Sequence, residues 1–167
     1  MAEAPTIELS SVADIQFLAR KGMTSGYEVA SLVTPVAYTA YVLAKRGRGA
    51  LHVNRLLRAT WIGGALGAAG GGALSYARHS GSTVDVLQRR RLQLMYDANR
   101  LRREDHSVIG GVLGGVLTTA IFLKRASVVN LILGGGGIGT GLGMLTHYAK
   151  YAVGDRPPAI VAPSLSE

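Results

Sequence analysis

Residues 61–76 read WIGGALGAAGGGALSY, and Gly63, Gly67 and Gly71 leave three positions, each one helical turn apart, without a side chain. In water such a helix loses roughly 1 kcal/mol per Gly relative to Ala. Inside lipid the backbone must satisfy its own hydrogen bonds, which a helix does, and small residues four apart let a second backbone come close. The spacing recurs at Gly110 and Gly114, at Gly111 and Gly115, and at Gly135, Gly139 and Gly143, with Gly137 and Gly141 forming a parallel ridge. These segments predict an all-α membrane protein: four transmembrane helices packed through glycine-rich faces, with amphipathic helices on the membrane surface.

Composition narrows the alternatives. The 167 residues suit one domain, and charged residues are 17% of them against roughly 25% in soluble proteins. A positive mean hydropathy argues against a disordered glycine linker. With no cysteine, neither a disulfide frame nor a thiolate metal site is available. The formal charge of +8 suits nucleic acid, anionic lipid or an acidic partner. Its clustering at the ends of apolar stretches favours membrane flanks.

The N-terminal arm, 1–26, carries a helix-start signal in Ser11 and Asp14, followed by rough helical spacing of Val12, Ile15 and Phe17. A short helix on the membrane surface is expected there. Glu3, Glu8 and Asp14 precede the first base, Arg20, which is unlike an Arg-rich transit peptide, and a secretory apolar core is missing; any import address is expected to be internal.

The predicted membrane domain, 27–149, contains spans at 27–43, 59–77, 107–123 and 127–149. Pro35 is expected to kink the first span, and Glu28 at its edge to lie in the headgroup layer. Lys45, Arg46, Arg48, Arg55 and Arg58 make a basic, acid-free first connector. In the segment 78–106, Leu87, Leu94 and Leu101 fall at heptad spacing among arginines, predicting a basic amphipathic helix at the lipid surface. Lys124, Arg125 and Ala126 alone separate the last two spans, so a tight antiparallel hairpin is expected. The tail, 150–167, is expected to be extended around Pro157 and Pro158. Four spans put both termini on one side, and the positive-inside rule leans towards the short basic connectors facing the matrix or cytoplasm, with the termini on the opposite side.

Gly134, Gly136 and Gly139 satisfy G-x-G-x-x-G after a β-branched run, with Asp155 near the distance of a ribose-binding acid. No further helix-and-strand unit follows, so a membrane helix accounts for these letters better, and no cofactor is expected. His52, His79, His106 and His147 lack metal-ligand spacing and read as interfacial side chains. No serine has a nucleophile frame. The inner parts of the spans lack acids, and Thr118, Thr119, Asn130, Thr140 and Thr146 are expected to hydrogen-bond between helices. Arg89, Arg90, Arg91, Arg100, Arg102, Arg103, Lys124 and Arg125 are candidate contacts for anionic lipid, cardiolipin among them. A nucleic-acid face would need stacking rings, and Tyr96 is the only one in the central segment.

The passage LRREDHSVIGGVLGG, 101–115, together with the spans and their glycines, resembles the channel family of the mitochondrial inner-membrane preprotein translocases. Arg102, Arg103, Glu104 and Asp105 stand ahead of Gly110, Gly111 and Gly115, as that family places an Arg and an Asp before a paired-glycine third span. The distance from Asp105 to Gly110 is shorter than the family pattern, and His106 stands where a proline is common. The resemblance implies either a protein-translocation path or, in another branch, an accessory subunit of the membrane arm of respiratory complex I. Missing cysteines, a short N-terminal arm and spans whose inner parts lack acids fit the second better. The expected protein is therefore a non-catalytic complex I subunit of the inner membrane, partnered by membrane subunits and acidic lipids and not by nucleic acid.

Overall fold

The structure, a computed structural model, describes residues 4–158. Among them it is all-helical: α1 (Ala4–Arg46), a short 3-10 turn (Arg48–Ala50), α2 (Val53–His79), α3 (Val84–Met95), α4 (Ala98–Phe122) and α5 (Val128–Ala152). Packing is most extensive between α1 and α2 and between α4 and α5, and α5 also touches α1 and α2.

Among the described residues two helices, α4 and α5, are long and apolar enough to cross a membrane, where the sequence predicts four. Tyrosines, threonines, Pro35 and Glu28 dilute α1, and a run of glycine and alanine, which adds little hydrophobicity, dilutes α2. The expected surface helix and first span are one continuous helix of 43 residues with Pro35 inside it. At 1.5 Å per residue α1 is roughly 65 Å long, about twice the hydrocarbon thickness of a bilayer. The first connector shrinks to 47–52 because helix extends into both sides of it, and Gly47 supplies the positive φ of 77° at the turn.

The central segment is also not one helix. It breaks at Tyr96 and Asp97, where the Asp97 carboxylate accepts a hydrogen bond from Arg100 N at 3.0 Å and starts α4. Leu87 is buried on α3, whereas Leu101 falls on α4 and is exposed, so the heptad line is not one face.

The last two helices form the expected tight hairpin, and α5 runs on to Ala152 instead of ending before Lys150. It stops in a Schellman turn: Gly154 N donates to Tyr151 O, Asp155 N donates to Lys150 O, and Gly154 has φ of 100°. The tail beyond 158 lies outside the described residues.

Candidate functional site

Both hairpins are closed by bare backbone. In the first, a methyl at Gly26 would come within 3.1 Å of Gly71 Cα, and Gly67 faces Gly26 and Ala30. Gly71 meets the Gly22 carbonyl, and Gly63 sits over Thr34. The second hairpin uses the same device. A methyl at Gly139 would lie 2.8 Å from Gly110 C and 2.9 Å from Gly114 Cα, while Gly143 rests against His106 and Ser107. Gly135 packs on Thr118, Gly111 on Thr140, and Gly115 more loosely on Ile132. Gly22 and Gly26 were missed in the sequence, although GMTSG holds them at the same spacing.

A second face of α5 joins the hairpins. Gly134 abuts Leu57, a methyl at Gly137 would lie 3.0 Å from Thr60 Cγ2, and one at Gly141 would lie 3.1 Å from Leu32 Cα. Gly134, Gly136 and Gly139 thus lie inside a helix against protein, with no strand before them among the described residues.

Asn130 bridges helices as expected: Trp61 Nε1 donates to Asn130 Oδ1 at 2.9 Å, and Asn130 Nδ2 donates to Asn54 Oδ1 at 2.8 Å. The threonines do not. Thr118, Thr119, Thr140 and Thr146 each donate to the carbonyl four residues back on their own helix, because a short hydroxyl reaches that oxygen first.

Ionised groups converge where α1 crosses the start of α4. Lys21 Nζ lies 2.5 Å from Glu104 Oε2, and Arg100 Nε donates to Glu104 Oε1 at 3.1 Å. Arg100 also donates to Lys21 O and to Ser25 Oγ, each at 3.0 Å. One helical turn further in, Arg103 Nη2 is 3.2 Å from the Glu28 carboxylate. Glu28 is therefore buried rather than set in a headgroup layer. No hydrogen-bond donor is aligned with either of its oxygens, and buried Ser31 Oγ and Ser107 Oγ also lack partners. His147 is buried too, not interfacial: its Nε2 donates to Asn99 Oδ1 at 3.0 Å, and its ring meets that of His106 edge-on at 5.8 Å. No group of three or more metal-ligating side chains forms among the described residues.

These pairings redistribute the predicted lipid contacts. Arg91 binds the buried Asp14 at 2.7 Å, Arg102 forks onto Asp155, and Arg100 and Arg103 are engaged as described. Their acids lie 4 to 77 residues away, so counting charge along the segment could not reveal most of these partners. Arg89, Arg90, Lys124 and Arg125 remain exposed.

Beside this cluster a groove of about 1220 Å³ opens between α1, α2 and α3. Its walls are apolar toward Val29 and Val33 and basic toward Lys21, Arg78 and Arg90. No family model, curated protein or solved structure matches the chain.

Proposed function

We propose that the chain is a non-catalytic accessory subunit of the membrane arm of mitochondrial respiratory complex I, supporting its assembly and stability through helix packing and lipid contacts. The observation that supports this is the division of labour on α4. Its glycines are spent on α5, while Val108, Ile109, Val112, Leu113, Val116 and Leu117 point away from the bundle, each more than half exposed. A ridge of that kind needs lipid or a neighbouring subunit over it. The assignment to complex I rests on the resemblance of residues 101–115, and with it go the inner-membrane location, termini in the intermembrane space and the four-span topology, in which α1 and α2 cross alongside α4 and α5.

Replacing Gly67 or Gly111 with Leu is expected to deplete the assembled complex on native gels and to lower respiration in proportion. Normal assembly and respiration in both variants would overturn the proposal.

The groove favours a second reading, a lateral path for precursor proteins in an inner-membrane translocase. A photocrosslinker at Val33, inside the groove, would then capture a stalled precursor, and depletion would slow import before it harmed respiration.

A further inference from the structure

We infer that the groove between α1, α2 and α3 holds one phospholipid with an anionic headgroup, its phosphate on Arg78 and Arg90 and its acyl chains along Val29, Val33 and Leu74. The inference rests on the membrane reading above and assigns that reading a site. At about 1220 Å³ the groove exceeds the usual small-molecule cleft of roughly 300–1,000 Å³.

Its polarity runs one way on both long helices. Lys21 on α1 and Arg78 on α2 mark one end, and Val29 and Val33 mark the other. From Lys21 to Val33 α1 rises roughly 18 Å at 1.5 Å per residue. That is close to one leaflet, half of a hydrocarbon core of about 30 Å. An acyl chain anchored at the basic end would lie alongside the apolar wall for its whole length.

The basic end is also uncompensated. Lys21 and Arg100 are already joined to Glu104, and the Asp97 carboxylate is occupied in starting α4. Arg78 and Arg90 are exposed and have no ion pair or hydrogen bond among the described residues. Two free guanidiniums beside a groove match a phosphate geometrically, through parallel N–H bonds, as well as in charge. A zwitterionic headgroup offers the same phosphate with an added cation facing them, so charge selects the anionic lipid. A nucleic acid would gain nothing from the apolar half.

The test uses the purified full chain in detergent micelles and native mass spectrometry, with dioleoylphosphatidylglycerol, dioleoylphosphatidylcholine and glycerol phosphate as probes. One phosphatidylglycerol per chain is expected, about tenfold tighter than phosphatidylcholine, and millimolar glycerol phosphate should not displace it. Arg78→Gln/Arg90→Gln is expected to remove that tenfold preference. Val33→Trp, which fills the apolar half, should weaken both lipids. Arg46→Gln/Arg48→Gln, at the far end of α1 and in the 3-10 turn just beyond it, should change neither. Equal binding of the two lipids, equal loss from both arginine pairs, or displacement by glycerol phosphate would each overturn the site. Carbonate extraction separates the two failures: retention in the membrane without lipid selectivity removes this inference alone, and release removes the membrane reading beneath it.

Discussion

Arg103 Nη2 stands 3.2 Å from Glu28 Oε2, tying α4 to α1 through a carboxylate that is 2% exposed. The pair is held by Coulomb attraction without an aligned hydrogen bond, and Arg103 Nε is itself buried and unpartnered. Such an arrangement contributes modestly as a pair, yet removing one member strands the other charge away from water. Arg103→Gln is expected to cost about 3–5 kcal/mol, with a smaller loss in Glu28→Gln/Arg103→Gln. A double-mutant cycle from denaturant titrations in micelles measures both. Additive single losses would show that the two groups do not support each other.

Glycines in this chain should divide sharply by what faces them. A methyl at Gly139 would lie 2.8 Å from Gly110 C, backbone that cannot move without parting the hairpin, whereas nothing lies within 4 Å of one at Gly70. Gly139→Ala should therefore destabilise, and Gly70→Ala should stabilise α2 by up to about 1 kcal/mol through helix propensity. Melting temperatures moving in opposite directions are the expected result, and a shared direction would mean that the glycines act through propensity alone.

Helix and hairpin were legible in the letters because glycine spacing and apolar length are local properties. Gly110, Gly114, Gly139 and Gly143 could be placed on one seam from periodicity, and the three residues between the last spans forced their helices together. What escaped was long-range pairing. Asp14 looked like a helix-start residue, but it is buried under Arg91; Glu28 looked peripheral, but it faces Arg103. A carboxylate's partner across 75 or more positions leaves no local trace. The break at Asp97 had a signal, an N-cap type ahead of a new helix, that the leucine heptad overrode.

Trp61 is the only tryptophan, so its emission reports the α2–α5 seam without interference. Its indole donates to Asn130, which in turn donates to Asn54, whose oxygen also accepts from Ser127 N at 3.3 Å. Asn130→Leu removes both side-chain links and leaves the indole N–H unpaired. A cost of about 1 kcal/mol is expected, since hydrogen bonds between membrane helices average about 0.6 and reach about 1.7. Trp61 emission should shift with it, and Asn54→Ala should produce part of the same shift. An unchanged spectrum in Asn130→Leu would show that the indole bond does not persist in solution.

Arg102 fastens the chain beyond α5 to the start of α4. Both guanidinium ends reach Asp155, at 2.9 and 2.5 Å, and the Arg102 hydrogen bonds hold the Asp155 carboxyl below its ordinary value of 3.8. A carboxyl with a depressed folded pKa contributes fully above its unfolded value and loses that contribution as pH falls through the folded one. The contact should therefore be constant from pH 8 to pH 5 and loosen below about pH 4. Because Asp155 is solvent-exposed, salt should weaken it as well. With no native cysteine, a spin label on Val153→Cys reads this segment alone. Label mobility should rise at acid pH in the parent protein, and Asp155→Asn should raise it at every pH to a level that acid no longer changes. A label that responds to acid equally in both proteins would assign the titration to another group.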